Sequence, residues 1–488
     1  MNAHAAVLAS ALTLASCAVG PNYHRPALSP SAAVVAPTDG ALAPNASPRL
    51  VAGADVSGQW WRVFHSPQLD ALVAQALKNN PTLEAAKASL RSAQELVRAQ
   101  RAAYYPSVEA SIAPSRQQVA GILSSPLANN SLLYTLTTSQ VSVSYAPDLF
   151  GANRRAVENL VAQADAQRFE LEAARLTIAS NVASAAIQDA LLRDQIDATG
   201  QIIADQQKIL ASFQRQYQLG QASKADLAAQ EALLAQAQAT MPPLEKQFQI
   251  NRDLISALVG RTPGEALDAK FDLASLSLPD TLPLSLPARL VEQRPDVSIA
   301  EAQLHGASAQ VGVAAAARWP NLVIAANAGS SPLDLGISTS SAATFWNIAG
   351  TLTQPVFDAG ALRHKERAAR AAYDQAAAQY QATVVGAFQN TADVLHALST
   401  DADAQTSAEH AERASSDSLE ITTRQLALGD INRLAVLAAE QARAQTRLAL
   451  LAARANRYSD VVALFQALGG GWWNRDGAVD HKAHAGGS

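Results

Sequence analysis

Cysteine, methionine and charge are all scarce in this chain. Its 488 residues include one cysteine and two methionines, and only 16% are charged. A lone Cys17 excludes an internal disulfide and any multi-cysteine metal site. With only two methionines beside it, there is no soft-ligand path for a metal. Lysine and arginine total 37 against 42 aspartates and glutamates, for a net charge of −5. No basic stripe therefore speaks for nucleic acid as a partner. From Pro21 onward there is no run of about eighteen apolar residues, which a membrane-crossing helix needs. Catalytic patterns are missing as well: no glycine-rich phosphate loop, no HExxH and no nucleophile elbow. The nine histidines are scattered, and His481-x-x-His484 lies in a polar tail. The chain is not expected to be an enzyme, to bind a metal or to hold a dissociable cofactor.

What the chain has in quantity is alanine, leucine and long helical periodicity. Hydrophobic residues make up 49% of it, yet mean hydropathy is +0.00, so the apolar positions are spread among polar ones. Ile196, Ile203, Leu210 and Tyr217 fall seven apart. Leu171, Ile178, Ala185 and Leu192 form a second such row. Heptad rows make helices pack as coiled-coil neighbours. Two short stretches interrupt this periodicity, Arg215-Gln216-Tyr217-Gln218-Leu219-Gly220-Gln221-Ala222-Ser223 and Arg424-Gln425-Leu426-Ala427-Leu428-Gly429-Asp430-Ile431-Asn432. Glycine adopts φ > 0 just past a helix end, and Ser223 or Asn432 can cap the helix that follows. Each stretch reads as a sharp reversal between antiparallel helices.

The reversals are 209 positions apart, and much else repeats at nearly that spacing. Repeat one covers 58–260, with a strand insert at about 104–148 and a helical hairpin at about 152–259. Its opening helix is expected over about 68–103, and Pro242-Pro243 is expected to kink the helix of 223–259. Repeat two covers 294–471, with an insert at about 319–356 and a hairpin at about 361–467. Alternation in Val141-Ser142-Val143-Ser144-Tyr145 indicates a strand with two different faces. Residues 261–293 read as a proline-rich linker, 17–57 as an extended tether, and 472–488 as a polar tail.

Several segments carry a family resemblance. The stretch Leu14-Ala15-Ser16-Cys17 resembles a bacterial lipobox, so 1–16 reads as a lipoprotein signal peptide, although no Lys or Arg precedes its apolar run. Cys17-Ala18-Val19-Gly20-Pro21-Asn22-Tyr23-His24-Arg25-Pro26 resembles the mature start of outer-membrane efflux lipoproteins, the TolC-like outer-membrane factors of tripartite pumps. Trp60-Trp61-Arg62-Val63-Phe64, Asp148-Leu149-Phe150-Gly151, Arg294-Pro295-Asp296-Val297, Gln354-Pro355-Val356-Phe357-Asp358 and both reversals point the same way, and the resemblance implies that the double tryptophan opens the first helix.

The resemblance implies a mainly α fold with membrane β: a trimeric α-helical barrel joined to a 12-stranded β-barrel, four strands per chain. It implies a homotrimeric exit duct in the outer membrane of a Gram-negative bacterium. The duct would be fed by an inner-membrane transporter through a periplasmic adaptor. Cys17 would carry diacylglycerol and an N-acyl chain, and Leu219, Gly220, Leu428 and Gly429 would meet the adaptor. Asp226 has two readings. It stands at capping-box spacing from Ser223, or it contributes to a ring of three carboxylates at the pore constriction. Ala435 and Ala438 occupy positions where relatives often carry acids. A protein-secretion duct and a lipid-anchored periplasmic scaffold without a pore stay open as alternatives.

Independent of resemblance, four strands leave two unpaired edges, which hydrocarbon does not tolerate. Tyr104, Tyr105, Tyr134, Tyr145, Trp319, Phe345, Trp346 and Phe357 lie at or near expected strand ends, where aromatic girdles sit.

Overall fold

Among the described residues, proline and capping residues mark many of the helix and strand boundaries. The structure, a computed structural model, describes residues 19–26, 48–123, 130–265, 269–284, 293–333, 343–431 and 433–475. Strand β1 (Arg49–Ala52) is followed by a buried 3-10 turn, Trp60–Phe64, and by α1 (Pro67–Asn79) and α2 (Pro81–Arg101). Strands β2 (Ser107–Gln118) and β3 (Leu133–Tyr145) precede α3 (Ala152–Gln218) and α4 (Lys224–Leu258). After β4 (Thr281–Leu284) the order repeats: α5 (Pro295–Ala316), β5 (Asn321–Ser330), β6 (Thr344–Thr353), α6 (Ala361–Leu428) and α7 (Arg433–Ala467). No helix among the described residues is long and apolar enough to cross a membrane.

The chain divides into two compact units. One holds the residues up to Pro26 with Ser89–Gln167 and Ile299–Gln381, and the other holds the remainder.

The first unit contains an antiparallel sheet in the order β2-β3-β5-β6. Prolines bound the strands: Pro106 and Pro320 precede β2 and β5, and Pro147 and Pro355 follow β3 and β6. A residue without an N–H cannot donate to a ladder, so proline falls at strand ends or on edge strands, as Pro114 does on β2. The helix after each insert starts on an aspartate. Asp148 accepts from the N–H groups of Asn153 (3.1 Å) and Arg154 (2.7 Å), and Asp358 from those of Gly360 and Leu362, both 2.8 Å. Carboxylates there satisfy first-turn donors and suit the positive end of the helix dipole.

In the second unit, Trp60 stacks on Phe465 with centroids 5.3 Å apart, and Tyr458 donates to the Leu276 carbonyl at 2.7 Å. Two equivalent joints tie helix ends together. Asn80 Nδ2 donates to the Leu258 carbonyl at the end of α4, and Arg294 Nη1 to the Ala467 carbonyl at the end of α7, both at 2.9 Å. Each donor immediately precedes a helix-opening proline, and each satisfies a last-turn carbonyl that has no intrahelical partner.

Two expectations are corrected. The helix expected over 68–103 is two helices, broken at Asn80. Pro81 drives the preceding residue out of helical geometry, and Asn80 is extended with φ −67° and ψ 123°. The double tryptophan does not open a helix but forms its own buried 3-10 turn. Pro242 and Pro243, where a kink is expected, stand inside a continuous α4. Both are exposed, so the carbonyls they deprive of donors are open to water. Two elements were not foreseen. Strands β1 and β4, four residues each, pair in parallel across what reads as tether and linker.

Candidate functional site

The two reversals share one geometry. In the first, Gly220 N donates to Tyr217 O (3.0 Å) and Gln221 N to Gln216 O (2.8 Å). In the second, Gly429 N donates to Leu426 O (3.1 Å) and Asp430 N to Gln425 O (3.0 Å). The six-to-one bond in each marks a Schellman-type helix end, which requires a left-handed residue. Gly220 and Gly429 supply it, with φ of 74° and 82°. Leu219 and Leu428 stand beside these turns 66% and 77% exposed. Neither packs inward.

Asp226 completes a capping box. Ser223 Oγ accepts from Asp226 N at 3.1 Å, and Asp226 Oδ2 accepts from Ser223 N (3.1 Å) and Ser223 Oγ (2.8 Å). These bonds, the hydroxyl's first, hold the carboxyl below the usual aspartate value, so it is ionised at neutral pH. Asn432, the expected cap of the next helix, lies outside the described residues. Ser223→Ala is expected to fray the first turn of α4. Amide exchange at Asp226 and Leu227 should rise, while exchange in the helix interior stays unchanged.

The strands show two chemically distinct faces. The register aligns Val108, Ala110 and Ile112 of β2 with Val143, Val141 and Ser139 of β3. It aligns Val141, Val143 and Tyr145 with Ala328, Ala326 and Ile324 of β5, and those with Trp346, Ile348 and Gly350 of β6. Side chains alternate between faces, so one face is apolar over this stretch, and toward the far end of β2 and β3 it carries Arg116, Gln118, Thr135, Thr137 and Ser139. The other carries Glu109, Ser111, Gln140, Ser142, Ser144, Asn327 and Asn347, with Asn327 Nδ2 donating to Asn347 Oδ1 at 3.0 Å. Strands of 10 to 13 residues meet or exceed the roughly 9–11 that cross a bilayer at a tilt. Aromatics gather at both strand ends: Tyr104, Tyr105, Tyr145, Trp319 and Phe357 at one, and Tyr134, Phe345 and Trp346 at the other. Strands β2 and β6 each have one free edge among the described residues.

Cys17 lies outside the described residues, and so do 1–16, read from the sequence as a signal peptide, most of the expected tether, and 476–488. The segment just after Cys17 is firmly held. Val19 N donates to Phe150 O at 3.1 Å, and Phe150 stacks on Trp319 at the foot of the sheet with centroids 5.2 Å apart. Arg155 Nη2 donates to Asn22 Oδ1 at 2.7 Å, Tyr23 stacks on His305 at 4.5 Å, and Arg25 pairs with Glu301 at 2.9 Å. The sequence offered these strap residues as a resemblance only. Their partners lie more than a hundred positions away, beyond the reach of any local pattern.

Residues 72–261 and 286–470 match the family described as outer membrane efflux protein. The chain belongs to this family. This outer membrane efflux protein is 30% identical over 460 residues to the pyoverdine export outer membrane protein OpmQ of Pseudomonas aeruginosa, covering 90% of this chain and 93% of that one. It is 28% identical over 485 residues to outer membrane protein OprJ of the same species, covering 97% and 96%. Among solved structures, the outer-membrane channel OprN superposes with a TM-score of 0.83 at 24% identity, covering 93% of this chain and all of that one. The outer membrane protein VceC of Vibrio cholerae gives 0.79 at 26% identity, covering 86% and 100%. The fold is that of the TolC-like helical-barrel channels. The protein is an outer-membrane efflux channel and works with other components of a pump.

Proposed function

We propose that three copies of this chain pool their sheets into one twelve-stranded barrel and serve as the exit duct of a tripartite pump. The observation that carries this reading is the sheet itself: a face apolar around Val141, Val143, Ala326 and Ile348, a more polar opposite face, and two free edges among the described residues. Hydrocarbon excludes open edges, and a two-fold count of such sheets gives only eight strands, whose interior is filled by side chains. Twelve leave a lumen lined by the polar face. The energy for export comes from an inner-membrane transporter, since the chain has no nucleotide-binding motif, and no catalytic role is assigned to it. The turns at Leu219-Gly220 and Leu428-Gly429 form a ring of six that docks a periplasmic adaptor. Three Asp226 carboxylates, kept ionised by their capping boxes, contribute negative charge near the constriction.

Single-channel recording in planar bilayers tests the duct. Discrete conductance steps from the purified protein are expected, and a folded protein that never conducts would leave only a scaffold.

Anchoring belongs to the same proposal. Cys17 carries the lipid, and the strap of residues 19–26 holds it at the foot of the sheet beside Trp319. Cys17→Ser is expected to abolish palmitate labelling and to weaken membrane association, with the barrel still inserting on its own. Labelling that persisted in this variant would rule Cys17 out as the site.

A further inference from the structure

Only two charged residues stand on strands β2, β3, β5 and β6, and they belong to opposite faces. Both lie on β2, Glu109 and Arg116, an odd number of positions apart. Arg116 therefore shares the face of Val108 and Ile112, while Glu109 belongs to the polar face.

That polar face is otherwise neutral. The row through Glu109 continues with Ser142, Asn327 and Asn347 across β3, β5 and β6. The row on one side is Ser107, Ser144, Ala325 and Ala349, and on the other Ser111, Gln140, Gly329 and Phe345. Polar groups here satisfy one another or the backbone. Asn327 Nδ2 donates to Asn347 Oδ1 at 3.0 Å, and Ser107 Oγ donates to the Ser144 carbonyl at 3.3 Å. Glu109 is exposed, and among the described residues nothing pairs with its carboxylate. Glutamate is disfavoured in strands, and neutral polar groups alone suffice to line a wet lumen, so folding does not account for an acid at this position.

We infer that Glu109 sets the charge preference of the barrel lumen, enriching cationic, amine-bearing solutes over anionic ones on the last stretch of the export path. The inference rests on the twelve-stranded barrel proposed above. Closing that barrel sets the free edge of β2 against β6 of the next copy, and β6 holds no charged residue to neutralise Glu109. Three-fold symmetry places three such carboxylates at one height. Strands about 4.8 Å apart and tilted about 40° close, twelve together, at a backbone radius of roughly 12 Å. Each carboxylate then lies within about 10 Å of the axis. Salt screens charge over about 30 Å at 0.01 M but only about 3 Å at 1 M. The three charges therefore act across the whole lumen in dilute salt and only beside the wall in concentrated salt. Coulomb's law in water gives a preference for a monovalent cation over an anion on the order of tenfold at 0.01 M, and about parity at 1 M.

A thiol placed on the same row reads this potential without any need for conduction. The probes are a cationic and an anionic methanethiosulfonate, each rate divided by its rate with a small free thiol. The protein without the added cysteine supplies the background from Cys17. For Asn347→Cys in the detergent-purified assembly, the cationic reagent should be favoured about tenfold at 0.01 M salt, and the ratio should approach one at 1 M. Adding Glu109→Gln should bring the ratio close to one at both salt concentrations, and Glu109→Lys should invert it at the lower. Ile348→Cys, on the opposite face, should resist both reagents. Light scattering checks that each variant keeps its assembly. A ratio at Asn347→Cys that Glu109→Gln leaves unchanged would overturn the inference while the barrel stands. Reaction at Ile348→Cys in place of Asn347→Cys would overturn the barrel's facing and the inference together.

Discussion

The double variant Leu219→Ser, Leu428→Ser is expected to lose export entirely while still reaching the outer membrane as an oligomer. Both leucines stand beside a helix reversal, 66% and 77% exposed, and neither turn depends on them. The Schellman bonds are backbone to backbone, and the left-handed residues are Gly220 and Gly429. Serine therefore leaves the reversal intact, whereas a bulky residue at either glycine would strain it as well. Fully burying a leucine in an interface contributes roughly 1.5–3 kcal/mol. Losing two per chain therefore removes about 3 kcal/mol or more from each docking event, on the order of a hundredfold in affinity. Site-specific crosslinking to the adaptor and a substrate-efflux assay at matched protein levels check this. Full transport by the double variant would refute docking through these leucines.

Val141→Arg, or Ile348→Arg, is expected to prevent stable assembly in the membrane. Both residues belong to the apolar face, and Ile348 sits near the middle of β6. An arginine on the lipid face near the bilayer midplane costs about 2–4 kcal/mol, and three copies in one barrel bring the cost to roughly 6–12 kcal/mol. Ser142→Arg is the control, because it differs from Val141→Arg by one position and so points to the opposite face. It should assemble and alter ion selectivity instead. Outer-membrane fractionation and native gels separate the two outcomes. Equal assembly of both variants would mean that the face assigned to lipid is wrong.

Much of this architecture is legible in the sequence, for identifiable reasons. The reversals at Gly220 and Gly429 are visible because a left-handed residue and a following cap are local requirements. The two inserts are visible because proline brackets them and because alternation, strongest at 141–145, has period two. The capping box of Asp226 is likewise a three-residue signal. The break at Asn80 was signalled by Pro81, but heptad-like continuity on both sides masked it. Strands β1 and β4 are too short, at four residues each, to show any period. The strap partners of Tyr23 and Arg25 and an amide chain from Gln230 through Gln206 to Glu440 join positions separated by 24 to 282 residues. No spacing rule links them. Glu231 and Glu440 look equivalent in sequence, and only packing shows that one is exposed and the other half-buried.

The most direct measurement is the native mass of the purified protein in detergent, by light scattering with the detergent contribution removed, taken together with its circular dichroism. A sheet with two free edges and one apolar face predicts an assembly of three chains that keeps its β signal. A well-folded monomer with the same β signal would contradict the shared barrel.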